Sequence, residues 1–242
     1  MTTAVRLPGT RASAVAATID GRRRWLRDLS LLPAAASALP LLVASPAVAQ
    51  PVAPRTGTDY RVLPSPQPAP TDRIEVLEFF YYGCPFCGQL EPLLAEWLPR
   101  QPAEIAFGRL PVIARDSWMP LGRLHYTLGE LGQERLHAAV YRAIHVESLQ
   151  LGQFEVALDW AGRNGIDRGR FSDAWRSAKV DALVARARRL TDDYDIQSTP
   201  SMVVDGRLLT SSGLTAGVAT LLPMVDRLVA IVRAARAGAT RS

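Results

Sequence analysis

The chain contains two cysteines, Cys84 and Cys87, and they lie three positions apart. They follow a nearly continuous apolar run at residues 74–82 and precede a segment with helical periodicity. A disulfide between them would close a loop of about four residues, for which chain entropy gives only about 2 kcal/mol of stabilisation. A structural disulfide normally joins distant segments. We therefore interpret the pair as a dithiol that cycles between oxidised and reduced forms.

The position of the pair at a strand-to-helix junction predicts different roles for the two thiols. If Cys84 opens the helix, unpaired backbone N–H groups and the helix dipole favour its thiolate and lower its pKa. Pro85 is tolerated in the first turn, where its missing N–H has no helical partner to lose. Cys87 lies one turn further on, placed to attack a mixed disulfide at Cys84.

Two other interpretations of the cysteine pair compete with the redox one, namely half of a zinc site and an inert pair. A zinc site needs more ligands, and the three histidines show no paired metal spacing near the motif: His125, His137 and His145. We favour the redox interpretation and expect neither a metal nor a cofactor.

The first 49 residues have the features of an export signal. A basic cluster at residues 22–27 precedes an uncharged stretch rich in Ala and Leu at residues 29–49, which ends in Ala-Val-Ala. These features predict cleavage after Ala49, and the cluster with Trp25 resembles a twin-arginine signal. The alternative is a membrane anchor, which is disfavoured by the cleavage pattern and by three prolines within the stretch.

Removal of this leader changes the charge of the chain. The full sequence has 28 Lys and Arg against 23 Asp and Glu, of which residues 1–49 hold six and two. The remaining 22 and 21 give a net charge of +1, so the basic composition gives no case for nucleic-acid binding. Export to an oxidising compartment suits a disulfide.

The rest of the chain reads as a proline-rich N-terminal arm and one domain. The arm covers residues 50–70 and the domain residues 71–238. Strand patterns at 74–82 and 104–112 are followed by helical patterns over about 115–190. A hairpin at residues 201–209 and an amphipathic helix at residues 214–237 close the chain. This order predicts an α/β fold.

Glu78 interrupts the apolar run of the first strand, on the same face as Val76 and Phe80 by the two-residue period. Burial of a carboxylate raises its pKa. The residue is either a solvated or satisfied acid with no chemical role, or a proton acceptor beneath Cys87.

With these motifs together, the chain resembles the bacterial periplasmic disulfide-forming oxidoreductases of the DsbA type. The resemblance covers roughly residues 60–235. It rests on residues 76–80 leading into the Cys84–Cys87 motif and on residues 199–206. Further support comes from Gly165-Ile166 followed by Phe171, Ala174 and Trp175. It implies a thioredoxin fold with an inserted helical domain.

The resemblance also implies roles for individual residues. Cys84 matches the attacking cysteine, Cys87 the resolving cysteine and Glu78 the buried acid. Pro200 matches the family's cis-proline, and the backbone of Thr199 before it would pair with the substrate peptide. On sequence alone an X–Pro bond is cis in only about 5–6% of cases.

Two positions depart from the pattern of the strongest oxidants in the family. Phe86 stands where those proteins usually have His, and Thr199 where they often have Val. Because Phe86 supplies no positive charge, we expect the Cys84 thiolate to rely mainly on the helix terminus and its N–H groups. Pro85 and Phe86 are therefore the expected redox-tuning positions.

The implied activity is a thiol:disulfide oxidoreductase that donates the Cys84–Cys87 disulfide to exported proteins with free cysteines. The protein would act in the periplasm as a monomer and be reset by a quinone-linked, DsbB-like membrane partner. Two alternatives remain open. One is a disulfide isomerase or reductase of the same fold, and the other is a non-catalytic peptide-binding chaperone module.

Overall fold

The computed structural model describes residues 53–239. The predicted export signal at residues 1–49 lies outside this part of the chain. Within residues 53–239, none of the helices combines the length and the apolar character that crossing a membrane requires.

A five-stranded mixed sheet forms the centre of the fold. The strands are β1 (Arg61–Val62), β2 (Ile74–Phe80), β3 (Ile105–Pro111), β4 (Ser201–Val204) and β5 (Leu208–Ser211). Their order across the sheet is β1-β5-β4-β2-β3, with β2 parallel to β3 and antiparallel to β4. The run that contains Glu78 is therefore an interior strand and not an edge.

Both faces of β2 are covered, which explains its continuous apolar sequence. Val76 packs in a core cluster with Leu90 and Leu94 of the first helix, whereas Phe79 packs on the opposite face with Val180 and Val184. Glu78, which shares a face with Val76 by the strand period, is thus placed on the side of the sheet that the first helix covers.

Within residues 53–239, seven α-helices surround the sheet. They are α1 (Pro85–Trp97), α2 (Met119–Glu130), α3 (His137–His145), α4 (Phe154–Arg163), α5 (Arg168–Trp175), α6 (Ala178–Asp193) and α7 (Val218–Ala239). Helices α2 to α6 lie between β3 and β4 in the chain, so they form an insertion in the α/β order. Side-chain caps start two of them, since Asp167 accepts from the Arg170 N–H and Ser177 from the Val180 N–H.

The last helix begins later than the sequence pattern predicts, at Val218 instead of Leu214. The Leu214 and Thr215 N–H groups both donate to the Ser211 carbonyl at 3.0 Å, and Gly217 has a φ of +100°. These residues form a turn after β5, which accounts for the error in the predicted boundary.

The hairpin turn between β4 and β5 is the one that Asp205-Gly206 predicts. Both residues have positive φ, 58° and 62°, and the Arg207 N–H donates to the Val204 carbonyl at 3.1 Å. This is the geometry that two-residue hairpins favour. The proline-rich arm closes over the turn, where the Gln67 N–H donates to the Gly206 carbonyl at 2.8 Å.

Candidate active site

The two cysteines occupy the first turn of α1 as free thiols. Cys84 is the N-cap residue, its N–H donates to the Tyr81 carbonyl at 2.9 Å, and Pro85 is the first helical residue. Cys84 is partly exposed, whereas Cys87 has no exposed surface. A reagent or client therefore reaches Cys84 and not Cys87.

The environment favours the thiolate of Cys84. Its pKa falls from 9.0 to about 5, first because the Cys87 side chain donates a hydrogen bond to it. A side-chain hydrogen bond from Thr199 and the backbone N–H groups of Cys87 and Phe86 add to this effect and outweigh partial burial. The Cys87 thiol is thus the largest single favourable contribution, and the first-turn N–H groups on which the sequence-based expectation relied act in the same direction.

Cys87 is held in the opposite state. Burial raises its pKa well above the ordinary value, and its hydrogen bond to Cys84 and the nearby charge of Glu78 act in the same direction. The dithiol thus consists of one thiolate and one thiol at neutral pH, which is the asymmetry that directional thiol exchange needs.

The segment before β4 completes the surroundings of Cys84. The Thr199–Pro200 peptide bond is cis, and the Cys84 thiol donates to the Thr199 carbonyl with a sulfur–oxygen distance of 3.3 Å. Strand β4 begins at Ser201, which pairs with Phe79 of β2. The antiparallel pairing therefore holds Pro200 at the end of the sheet from which Cys84 emerges.

Glu78 lies fully buried in the middle of β2. Its Oε2 accepts a hydrogen bond from Arg109 Nε at 3.0 Å, and Arg109 is its register partner on β3. Its other oxygen, Oε1, has no partner among the described residues. Burial raises the Glu78 pKa to about 8, against the opposing effect of Arg109. The carboxyl is therefore only half satisfied and is protonated for much of the time near neutral pH.

Four residues that sequence reasoning did not assign to the site extend this buried network. Arg109 also reaches Glu91 of α1 at 3.2 Å, and Glu91 lies 3.2 Å from His137 of α3. The other ring nitrogen of His137 lies 2.7 Å from the Tyr82 hydroxyl. These residues come from separate elements, so no spacing in the sequence could have grouped them.

The rim of the site is aromatic. Phe86 is 52% exposed, and the ring of Tyr81 stacks in parallel on Trp118 with 3.9 Å between ring centroids. The Arg115 guanidinium lies over the Trp118 ring. No cluster of three His, Cys, Asp or Glu in the part of the chain that the structure describes has an arrangement suited to a metal ion.

Comparison with known proteins agrees with this geometry. A profile of the DSBA-like thioredoxin domain matches residues 120–217. The thiol:disulfide interchange protein DsbA of Burkholderia cepacia is 37% identical over 191 residues, which are 78% of this chain and 90% of that protein. The chain belongs to the DsbA family. The DsbA of Pseudomonas aeruginosa PAO1 is 34% identical over 181 residues, which are 74% of this chain and 86% of that protein.

Solved DsbA structures have the same fold. The crystal structure of Pseudomonas aeruginosa DsbA superposes with a TM-score of 0.71 at 33% identity, covering 74% of this chain and 94% of that one. The oxidoreductase DsbA from Xylella fastidiosa gives 0.69 at 28% identity, covering 75% and 98%. The chain therefore has the thioredoxin fold of DsbA proteins, with α2 to α6 as the helical insertion.

Proposed function

We propose that this DsbA-family protein is a thiol:disulfide oxidoreductase that donates the Cys84–Cys87 disulfide to exported proteins during oxidative folding. The observation that carries the proposal is the asymmetry of the two thiols. Cys84 is accessible and its pKa is lowered to about 5, whereas Cys87 is buried and its pKa is raised.

The first step is attack on the oxidised enzyme. A client thiolate attacks the Cys84 sulfur, a client–Cys84 disulfide forms, and the Cys84–Cys87 bond breaks. Cys87 leaves with the electron pair of that bond and takes up a proton. Glu78, with a pKa raised to about 8, is the nearby buried acid that supplies the proton.

The second step releases the oxidised client. A second client thiolate attacks the client sulfur of the mixed disulfide, and Cys84 leaves as a stabilised thiolate. The client has then lost two electrons and the enzyme has gained them. A low pKa of the leaving thiol speeds this step and favours the reduced enzyme, so the pair acts as an oxidant.

The Thr199 carbonyl is the proposed contact for the client backbone. It lies beside the Cys84 sulfur, and a main-chain hydrogen bond there would recognise extended peptides with little regard to sequence. We extend the proposal to unfolded exported proteins as clients, to the periplasm as the compartment and to a DsbB-like quinone-linked reoxidase. The protein would act as a monomer.

The test is single-turnover oxidation of a reduced, unfolded protein by the oxidised enzyme, followed by thiol trapping on a gel. The wild type should transfer one disulfide per enzyme. Cys84→Ser should transfer none. Cys87→Ser, started from a Cys84 adduct, should accumulate the mixed disulfide with a client that has a single free cysteine, because neither Cys87 nor a second client thiolate can then resolve it. A chaperone module would suppress aggregation equally well in the wild type and in Cys84→Ser.

A second measurement separates an oxidase from an isomerase or reductase. The equilibrium of the Cys84–Cys87 pair with glutathione gives the reduction potential directly. A potential in the range of reducing thioredoxins would contradict the role as a disulfide donor.

A further inference from the structure

Helix α3 contacts Tyr82, which lies just before the reactive motif, at two points. Its first residue, His137, places Nδ1 2.7 Å from the Tyr82 hydroxyl, and its last residue, His145, donates from Nε2 to the Tyr82 carbonyl at 2.8 Å. Tyr82 lies two positions before Cys84 and is almost fully buried. The helical insertion is thus tied directly to the segment that presents the thiol.

The orientation that Tyr82 gives the His137 ring directs its second nitrogen at Glu91. Nε2 lies 3.2 Å from Glu91 Oε1, a short electrostatic contact that is poorly aligned for a hydrogen bond. Glu91 in turn contacts the guanidinium of Arg109, which also binds Glu78. The Arg109 guanidinium is therefore shared between Glu78 and Glu91, and His137 contacts only Glu91.

Two histidines in this region, His125 and His137, are poor proton acceptors near neutral pH. Burial lowers the pKa of His137, and it lowers that of His125 to about 3. The charged and titratable groups that face His137 or Glu78 come from β3, from the turn after β2 and from α1, α2 and α3. They are Tyr82, Cys87, Glu91, Arg109, His125 and Tyr141.

We propose that His137 is a positioning residue for the thiol reaction: by supporting ionised Glu91, it keeps part of the Arg109 charge away from Glu78 and so leaves Glu78 able to hold the proton of Cys87. This proposal rests on the proposed function, since it concerns the same dithiol. It assigns His137 no contact with the client.

The physical reason is competition for a single guanidinium. An ionised Glu91 repels negative charge on Glu78 and occupies one side of Arg109, and both effects raise the Glu78 pKa. The His137 contact is the largest of the effects that hold the Glu91 pKa down, so its loss moves Glu91 towards the protonated form, which does neither. Arg109 would then pair fully with Glu78, the Glu78 pKa would fall, and the carboxylate would become a weaker base for Cys87.

The experiment follows the attack of Cys87 on a mixed disulfide at Cys84. The reduced enzyme reacts with a symmetrical aromatic disulfide, and Cys84 expels one coloured thiolate. Cys87 then attacks the Cys84 sulfur and expels the second thiolate while Glu78 accepts the Cys87 proton. The rate of the second release as a function of pH reports the proton affinity of Glu78.

For His137→Phe we expect the midpoint of this pH profile to fall by about one unit, the size of effect that a neighbouring charge has on a carboxyl pKa. His137→Gln keeps an N–H donor for Glu91 and should restore part of the shift. Glu91→Gln removes the negative charge beside Arg109, so the midpoint of this variant should fall as well. The double variant His137→Phe/Glu91→Gln should shift no further than Glu91→Gln alone.

His125→Phe is the matched control, because His125 is a partly buried histidine of the same cavity whose ring contacts Phe80 and His137. Its midpoint should equal that of the wild type. An unchanged midpoint in His137→Phe, whatever the rate, overturns the proposal. If His137→Phe fails to fold, an unchanged midpoint in both His137→Gln and Glu91→Gln overturns it equally. Failure of the wild type to release the second thiolate would instead contradict the proposed function.

Discussion

The Cys84 sulfur lies 3.3 Å from the carbonyl oxygen of Thr199, so the reactive thiol and the backbone group proposed to bind clients share one hydrogen bond. The protonated thiol donates to this carbonyl. Loss of the proton removes the donor and leaves the carbonyl free to accept from a client N–H. In the oxidised enzyme that a client attacks, the Cys84 sulfur likewise carries no proton, so the Thr199 carbonyl is free to accept there as well.

The first prediction concerns the source of the Cys84 thiolate. Since the Cys87 hydrogen bond is the largest favourable contribution, Cys87→Ala should raise the Cys84 pKa from about 5 by about one unit or more. Cys87→Ser keeps an O–H donor and should raise it less. The pH dependence of iodoacetamide labelling, read by mass spectrometry, measures both. Labelling of Cys87 before Cys84 in the wild type at mildly acidic pH would contradict the assignment.

The second prediction is a pH-dependent difference in stability between the reduced and oxidised proteins. The Cys84 pKa is about 5 in the folded protein against an ordinary 9.0. A depressed pKa contributes stability that is present above the unfolded pKa and lost as the pH falls through the folded pKa. The reduced protein should therefore lose stability relative to the oxidised protein between pH 9 and pH 5. Urea unfolding of both forms across this interval provides the measurement.

The third prediction concerns Phe86, which is exposed beside the thiols. Phe86→His should lower the Cys84 pKa and make the protein more oxidising, because a nearby imidazolium favours the thiolate. A fall of one unit corresponds to about 1.4 kcal/mol and thus to about 30 mV in this two-electron couple. Phe86→Gln, which removes the ring without adding charge, separates the effect of charge from that of size. Equal potentials for the wild type and Phe86→His would show that position 86 does not tune the site.

The fourth prediction concerns the hairpin turn. A Cβ atom on Gly206 would lie 2.2 Å from the Gln67 carbonyl oxygen, and the residue has a φ of +62°. Gly206→Ala should therefore destabilise the protein by more than the roughly 1–2 kcal/mol that left-handed backbone costs an L-residue. Gly132→Ala is the control, with a φ of +64° and open space around it. If chemical denaturation gives the same loss for both, contact with the arm adds nothing.

The fifth prediction concerns export. The mature protein should begin at Gln50, because the pattern at residues 47–49 is one that signal peptidase recognises. N-terminal sequencing of the periplasmic protein checks this, and a retained leader would favour an anchor. Replacing Arg22, Arg23 and Arg24 by Lys should block a twin-arginine route and largely spare the general secretion route.

Much of the site follows from local sequence patterns. The Cys84–Cys87 spacing after an apolar run predicts the strand-to-helix junction, and the two-residue period places Glu78 on the face of β2 that α1 covers. Asp205-Gly206 predicts the hairpin turn. Each of these depends on residues that are close in the sequence, where backbone geometry determines which side chains share a face.

The electrostatic environment of Glu78 does not follow from such patterns. Arg109, Glu91 and His137 belong to β3, α1 and α3, and they meet only because the sheet and the insertion pack together. From the sequence alone, His137 bears only on the rejection of a zinc site. Likewise, no sequence pattern shows that the Cys87 thiol is the largest single contribution that favours the Cys84 thiolate.

The register of β2 has a further consequence. Glu78 lies opposite Arg109 on β3 and Met202 on β4, and its neighbour Phe79 lies opposite Ser201, directly after Pro200. A slip of one residue would turn Glu78 to the other face of the sheet and displace Pro200 from Cys84. The positions of Glu78 and Pro200 relative to Cys84 therefore depend on the buried pairing of β2 with β3 and β4. Substitutions far from the thiols that loosen this pairing should slow thiol–disulfide exchange before they disrupt the overall fold.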